Sequence, residues 1–186
     1  MTNSVPGKRE RLIDAAVRVF YERGVEKTTI ADIARVADVP VGNVYYYFKT
    51  KDQLIEAAIG AHARGLDQLT AELNRLEDPR ERLRELVSGW VAERELAARF
   101  GCPFGSLTAE LHKRDDPLEG RASEVMQRLV DWSRTQFEEL GRADAQRLAI
   151  ALISSYQGIS MLTNAFRDPE LMVAEGERLR EWIDSL

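Results

Sequence analysis

Between Thr28 and Lys51 the chain collects side chains suited to gripping a phosphate backbone rather than to breaking bonds. Thr28 and Thr29 bring hydroxyls to a helix N-terminus, where free backbone N–H groups and the helix dipole favour an anion. Tyr46 and Tyr47 are phenols that donate to phosphate oxygens without adding charge, and Lys51 supplies a cation. Asn43 carries an amide with the geometry to pair bidentately with adenine. Bond-making chemistry has no comparable set. His62 and His112 lie 50 residues apart, Cys102 is the single cysteine, and no His-Glu-x-x-His, Glu-x-x-His or glycine-rich phosphate loop occurs. An all-helical enzyme thus lacks convergent groups, and neither a metal nor another cofactor is implied.

The elements that must position these groups are helices. Apolar residues recur at helical spacing nearly throughout, and the prolines and glycines fall where helices should start or stop, so the fold class is all-α with about nine helices. A first helix is expected over 8–23, with Leu12, Ile13, Ala16, Val17 and Phe20 on one stripe, Gly24 as its left-handed stop and Val25 folding back. Thr29 and Asp32 form a capping box that opens a short helix ending near Val36, with Ile30, Ile33 and Ala34 inward. After a turn at 37–39, a third helix covers 41–46, with Val44, Tyr45 and Phe48 as its inward face, and a long fourth begins near Lys51. Asp78-Pro79, Asp116-Pro117 and Asp168-Pro169 each set an N-cap acid before a first-turn proline. With 142–167 and a short segment after Pro103, these make three helices in a head and six in a body.

Two short helices joined by a three-residue turn, with a first helix across them, form the layout that offers a recognition helix to the DNA major groove. The runs from Thr28 to Ala34 and from Gly42 to Leu54 resemble the DNA-binding signature of the TetR family, over roughly residues 8 to 55. The resemblance implies a one-component transcriptional regulator, with a helix-turn-helix domain over 1–51 and a ligand-binding and dimerisation domain over 52–186. It implies that Thr28, Thr29, Tyr46, Tyr47 and Lys51 clamp phosphates while Val41, Gly42 and Asn43 read bases. Gly42 permits close approach to the groove, and Val41, where the family often has a polar residue, can touch a thymine methyl. Asp38 replaces a usual glycine and Pro40 a usual capping serine. Asp tolerates the left-handed conformation, and Pro40 can open the helix, the missing cap costing about 1 kcal/mol.

Charge is divided in the same way. Residues 1–51 hold nine Lys/Arg against six acids, net +3, while the remainder holds 17 against 25, net −8, giving −5 in all. A basic end on an acidic body suits a protein that lays one end on phosphates. Hydrophobic and charged contents of 44% and 31% are those of a globular chain. No apolar run reaches the roughly 18 residues of a membrane span and no signal-peptide pattern opens the chain, so no membrane association and a cytoplasmic location are expected.

For the body, the resemblance implies a homodimer on a double-stranded palindromic operator, and a largely apolar small-molecule effector that releases a repressor. Leu148, Leu152, Ile153, Tyr156, Ile159 and Leu162, then Leu171, Leu179, Trp182 and Ile183, suit a four-helix dimer bundle or, equally by spacing, the monomer's own core. Trp90, Phe104, Leu107, Met126, Trp132, Tyr156 and Gln157 are candidates to line the effector pocket, though aromatic and Met side chains at helical spacing also serve as plain core. Ser154, Ser155, Gln157 and Asn164 either orient a ligand or bond helix to helix. The segment from Gly101 to Leu107 resembles one found in a subset of TetR-like regulators, including some that sense electrophiles through cysteine. Cys102 therefore has two readings, sensor thiol or packing. A helical interaction module without DNA affinity is the remaining alternative, separable by the absence of salt-sensitive DNA binding.

Overall fold

Ten helices and no strand account for the regular structure of residues 7–113 and 117–186, the part of the chain described by a computed structural model. They are α1 (Lys8–Arg23), α2 (Ile30–Val36), α3 (Val41–Tyr47), α4 (Lys51–Leu73), α5 (Pro79–Ala92), α6 (Arg94–Phe100), α7 (Pro103–Lys113), α8 (Glu119–Glu139), α9 (Ala145–Phe166) and α10 (Glu170–Asp184). The one helix beyond the expected nine is α6, set off from α5 by Glu93 alone, at φ −91° and ψ 12°. Asp78 caps α5 from the N-terminal side, accepting from the Arg80 N–H at 2.9 Å, and Asp168 accepts from the Glu170 N–H at 3.0 Å. The third such start, Asp116-Pro117, has its capping residue outside the described residues.

Two compact units emerge. One takes in the chain up to Gly65 with Ser106–Ser123, and the other takes in Leu66–Gly105 with Glu124–Leu186. The first thus runs past residue 51 into α4 and adds a segment distant in sequence.

In the first unit, α1 buries Leu12, Ile13, Ala16, Val19 and Phe20. Gly24 ends it at φ +81° and ψ 162°, a positive-φ conformation that favours glycine, and a Cβ there would lie 3.0 Å from Oε2 of Glu110. That carboxylate accepts from the N–H groups of Val25 at 2.8 Å and Glu26 at 2.6 Å, which fixes the return of the chain and leaves Val25 fully buried. Thr29 and Asp32 form the capping box of α2 as the spacing predicts. Asp38 takes the left-handed conformation at φ +51°, and Pro40 stands as the N-cap of α3 with no side-chain acceptor.

The second unit packs α5, α6, α9 and α10 against one another. Leu83, Leu86 and Val87 of α5 meet Met172, Leu179 and Ile183 of α10 in its core. Gly176 lets these two helices touch, since a Cβ there would lie 2.3 Å from Cγ2 of Val91. Arg167, left-handed at φ 56° and ψ 32°, ends α9, and its guanidinium joins the Asn164 amide in donating to the Ala98 carbonyl, each at 3.1 Å. Asn164 is therefore a helix-to-helix tie. The expected dimer residues need correction. Leu148, Leu152, Ile153, Tyr156, Leu179 and Ile183 are buried within the monomer, where α9 packs on α6 and α10, and α10 on α5 and α9. The apolar side chains α9 leaves exposed are Ile150, Met161, Leu162 and Phe166, alternating with exposed Ala151, Ser154, Gly158 and Ala165.

Candidate nucleic-acid interface and effector cluster

Because α3 is only seven residues long, one inward anchor decides its rotation. Val44 is that anchor, fully buried, and Phe48 follows as the buried C-cap. Everything else on α3 faces outward to some degree. Val41 is 43% exposed and Tyr46 79%, with Gly42 and Asn43 also exposed. Tyr45, expected in the core, is 46% exposed: it lies one turn beyond Val41 on the outer stripe. Its phenol belongs with the exposed donors, a signal the i+4 spacing from Val41 already carried.

Tyr47 is half-buried and meets Tyr46 edge to face, with ring centroids 5.1 Å apart at 82°. Just beyond α3 the chain turns into α4 through a reciprocal cap. Thr50 Oγ1 accepts from the Gln53 N–H at 3.3 Å, and Gln53 Oε1 accepts from the Lys49 N–H at 2.6 Å. Lys51 opens α4, its Nζ donating to the Glu26 carbonyl at 3.4 Å, which holds the ammonium beside the α1–α2 turn.

The two threonines behave differently from expectation. Thr28 is buried, its hydroxyl donating to the Gly24 carbonyl at 2.6 Å and its N–H to the Val25 carbonyl at 3.2 Å, so both groups are spent on the turn. Thr29 is exposed, but its hydroxyl donates to Asp32 Oδ2 at 2.6 Å and accepts from the Asp32 N–H at 3.2 Å. The Thr29 hydroxyl, then its N–H, hold the Asp32 carboxyl below the usual carboxylate range, with Arg35 and Arg23 adding to the effect. An internal carboxylate therefore sits where a phosphate was expected at the start of α2. The exposed donors gather instead on α3 and the start of α4.

In the second unit, some of the predicted effector residues come together. The rings of Trp90 and Tyr156 stack at 4.2 Å and 17°, in a cluster with Ala97, Cys102 and Met172 on which Val91, Phe104 and Ile159 pack. Gln157 reaches in from α9, its Nε2 donating to Cys102 Sγ at 3.3 Å and to Met126 Sδ at 3.7 Å. Gly105 makes room for that amide, since a Cβ there would fall 2.4 Å from Gln157 Oε1. Trp132 is spent elsewhere, its Nε1 donating to Asn74 Oδ1 at 2.9 Å, and Leu107 is buried in the first unit. Cys102 is buried and also accepts from the Gly105 N–H at 3.3 Å, which favours packing over an exposed sensor thiol.

A short exposed helix anchored by one side chain and packed on α2, which in turn packs on α1, is the layout of a helix-turn-helix DNA-binding regulator. Residues 12–58 match the family of bacterial regulatory proteins, tetR family, and residues 79–175 match the tetracyclin repressor-like C-terminal domain. The chain belongs to the tetR family of transcriptional regulators. It is similar to the HTH-type transcriptional regulator TtgR of Pseudomonas putida, 26% identical over 188 residues, covering 95% of this chain and 88% of that protein. BetI of Brucella anthropi is 40% identical over 84 residues, 45% of this chain and 43% of that one. The crystal structure of a TetR transcriptional regulator from Legionella pneumophila shares the fold with a TM-score of 0.85 at 17% identity, covering 99% of this chain and 98% of that one. Members of the family are DNA-binding transcriptional regulators rather than enzymes, and typically form homodimers. Among the described residues no helix is long and apolar enough to cross a membrane.

Proposed function

We propose that this chain is a repressor that binds a palindromic operator as a homodimer and is released by a largely apolar small molecule. The observation that carries the reading is the outer surface of α3, where Val41, Gly42, Asn43 and Tyr46 are exposed around the single buried anchor Val44. In the major groove Asn43 pairs with a base edge and Val41 meets a methyl group, while Tyr46, Tyr47 and Lys51 hold flanking phosphates. Thr28 and Thr29 contribute by fixing the turn and the start of α2. Residues 1–51 form the DNA-reading part and 52–186 the regulatory part.

The exposed apolar face of α9, with Ile150, Met161, Leu162 and Phe166, is the surface on which a second copy pairs. Twofold pairing makes the operator a palindrome. The effector enters the cluster of Trp90, Phe104, Tyr156, Met126 and Gln157, where aromatic faces and sulfur supply an adaptable apolar wall and Gln157 a hydrogen bond. Release follows if the effector prefers a body conformation that DNA does not, since differential affinity alone moves the equilibrium. Selection of duplexes from a random pool tests the reading. A palindromic consensus bound at nanomolar concentration and lost with rising salt supports it, and salt-insensitive or absent binding overturns it.

A further inference from the structure

The first unit holds a cleft that, Tyr47 apart, none of these roles uses. It encloses about 410 Å³ between α1 and α4 at the end of α3, lined by Arg9, Ile13, Tyr47, Phe48, Gln53, Glu56, Ala57, Gly60 and Arg64. Two of these are guanidiniums, and neither Arg9 nor Arg64 forms an ion pair with a described acid. Glu56, the carboxylate in the wall, is already neutralised by an ion pair with Arg121. Arg9 is held in place from below, its Cζ 5.5 Å from the centroid of the buried Phe48 ring. Gln53 has its oxygen committed to the Lys49 N–H, so its remaining amide hydrogens are donors. On the α4 side Gly60 completes the wall beside Arg64.

We infer that this cleft binds a small organic anion through a carboxylate or phosphate group. Two planar forks with uncompensated charge suit an oxyanion, because guanidiniums bind it through paired charge-assisted hydrogen bonds. Ile13, Phe48, Ala57 and Gly60 supply the smaller, apolar share of the lining. The site lies in the DNA-binding unit and is distinct from the Trp90–Tyr156 cluster. Tyr47 belongs both to the cleft and to the proposed phosphate clamp, so an occupied cleft weakens operator binding. That regulatory consequence rests on the DNA-binding reading, whereas the binding itself does not.

Calorimetric titration of the full-length protein without DNA tests the inference directly, using benzoate, phenyl phosphate and uncharged benzamide. At least one anion binds, with benzamide weaker by about tenfold or more. Whichever anion is tighter identifies carboxylate or phosphate as the group recognised. Arg9→Gln and Arg64→Gln each weaken the anion about tenfold with an unchanged melting temperature, as expected for exposed side chains. Gly60→Leu, which fills the cleft without altering charge, abolishes binding. Equal affinity for benzamide, indifference to both arginine substitutions, or no heat up to about 10 mM ligand overturns the inference.

Discussion

The head and the body of this molecule spend their side chains in opposite ways. In the head, one or two apolar anchors hold each short helix, and on α3 the polar groups are left on the surface: Val44 is buried so that Val41, Asn43, Tyr45 and Tyr46 are not. In the body, the polar groups turn inward to tie helices, as Asn164 and Arg167 do on Ala98, and the exposed surface of α9 is apolar. The surface proposed for DNA thus exposes donors, while the one proposed for a second copy of the chain exposes methyls, methionine and a phenylalanine ring.

That contrast can be broken at the body first. Met161→Arg with Phe166→Arg places two charges in the proposed pairing face, and the dimer dissociation constant should rise about a thousandfold, roughly 4 kcal/mol, read by analytical ultracentrifugation. An unchanged mass would move the pairing surface off α9. Gly176→Val forces a side chain into Val91, where even a Cβ would stand 2.3 Å away, and should cost about 2 to 3 kcal/mol in denaturant unfolding. No loss would mean that α5 and α10 can separate freely.

In the head the effects are smaller because single caps hold it. Thr29→Ala removes the α2 cap and should cost about 1 kcal/mol, measured by the same unfolding curves, and an NMR titration should find the Asp32 carboxyl raised towards its ordinary value in the variant. The least effect concerns His62 of α4, whose burial lowers its pKa from the ordinary 6.5. The unfolded chain then binds the proton more readily than the folded one. Stability is full above about pH 6.5 and is lost as pH falls towards and through the lower folded value. His62→Gln should flatten that acid-side loss by under about 1 kcal/mol, and an unaltered pH profile would assign it to other groups.

How far sequence reading reached follows from the same contrast. Signals confined to a few residues were legible: the Thr29–Asp32 box, the Asp78 cap, the positive φ of Asp38 and the start of α4 at Lys51. The α5–α6 break was not, since Glu93 is an ordinary helix former and no glycine or proline marks it. Which face of α9 looks outward was hidden as well. Apolar residues surround that helix, so period alone does not choose between Leu152 and Met161. Tyr45 shares a spacing with Phe48 that suggests an inward face, but its register with Val41 places it outside, and the Thr28 hydroxyl is consumed by the Gly24 carbonyl, a partner that sequence does not reveal.

The division of labour along α3 and α4 is tested most directly by titrating the selected operator, and its single-base variants, with Asn43→Ala and Lys51→Ala across a range of salt. Asn43→Ala should cost about 1 to 3 kcal/mol on the consensus and relax preference at one base pair per half-site, leaving the salt slope intact. Lys51→Ala should weaken every sequence about equally and reduce the slope by about one for each lost phosphate contact. If the two variants change specificity and salt dependence identically, α3 does not read bases in this way.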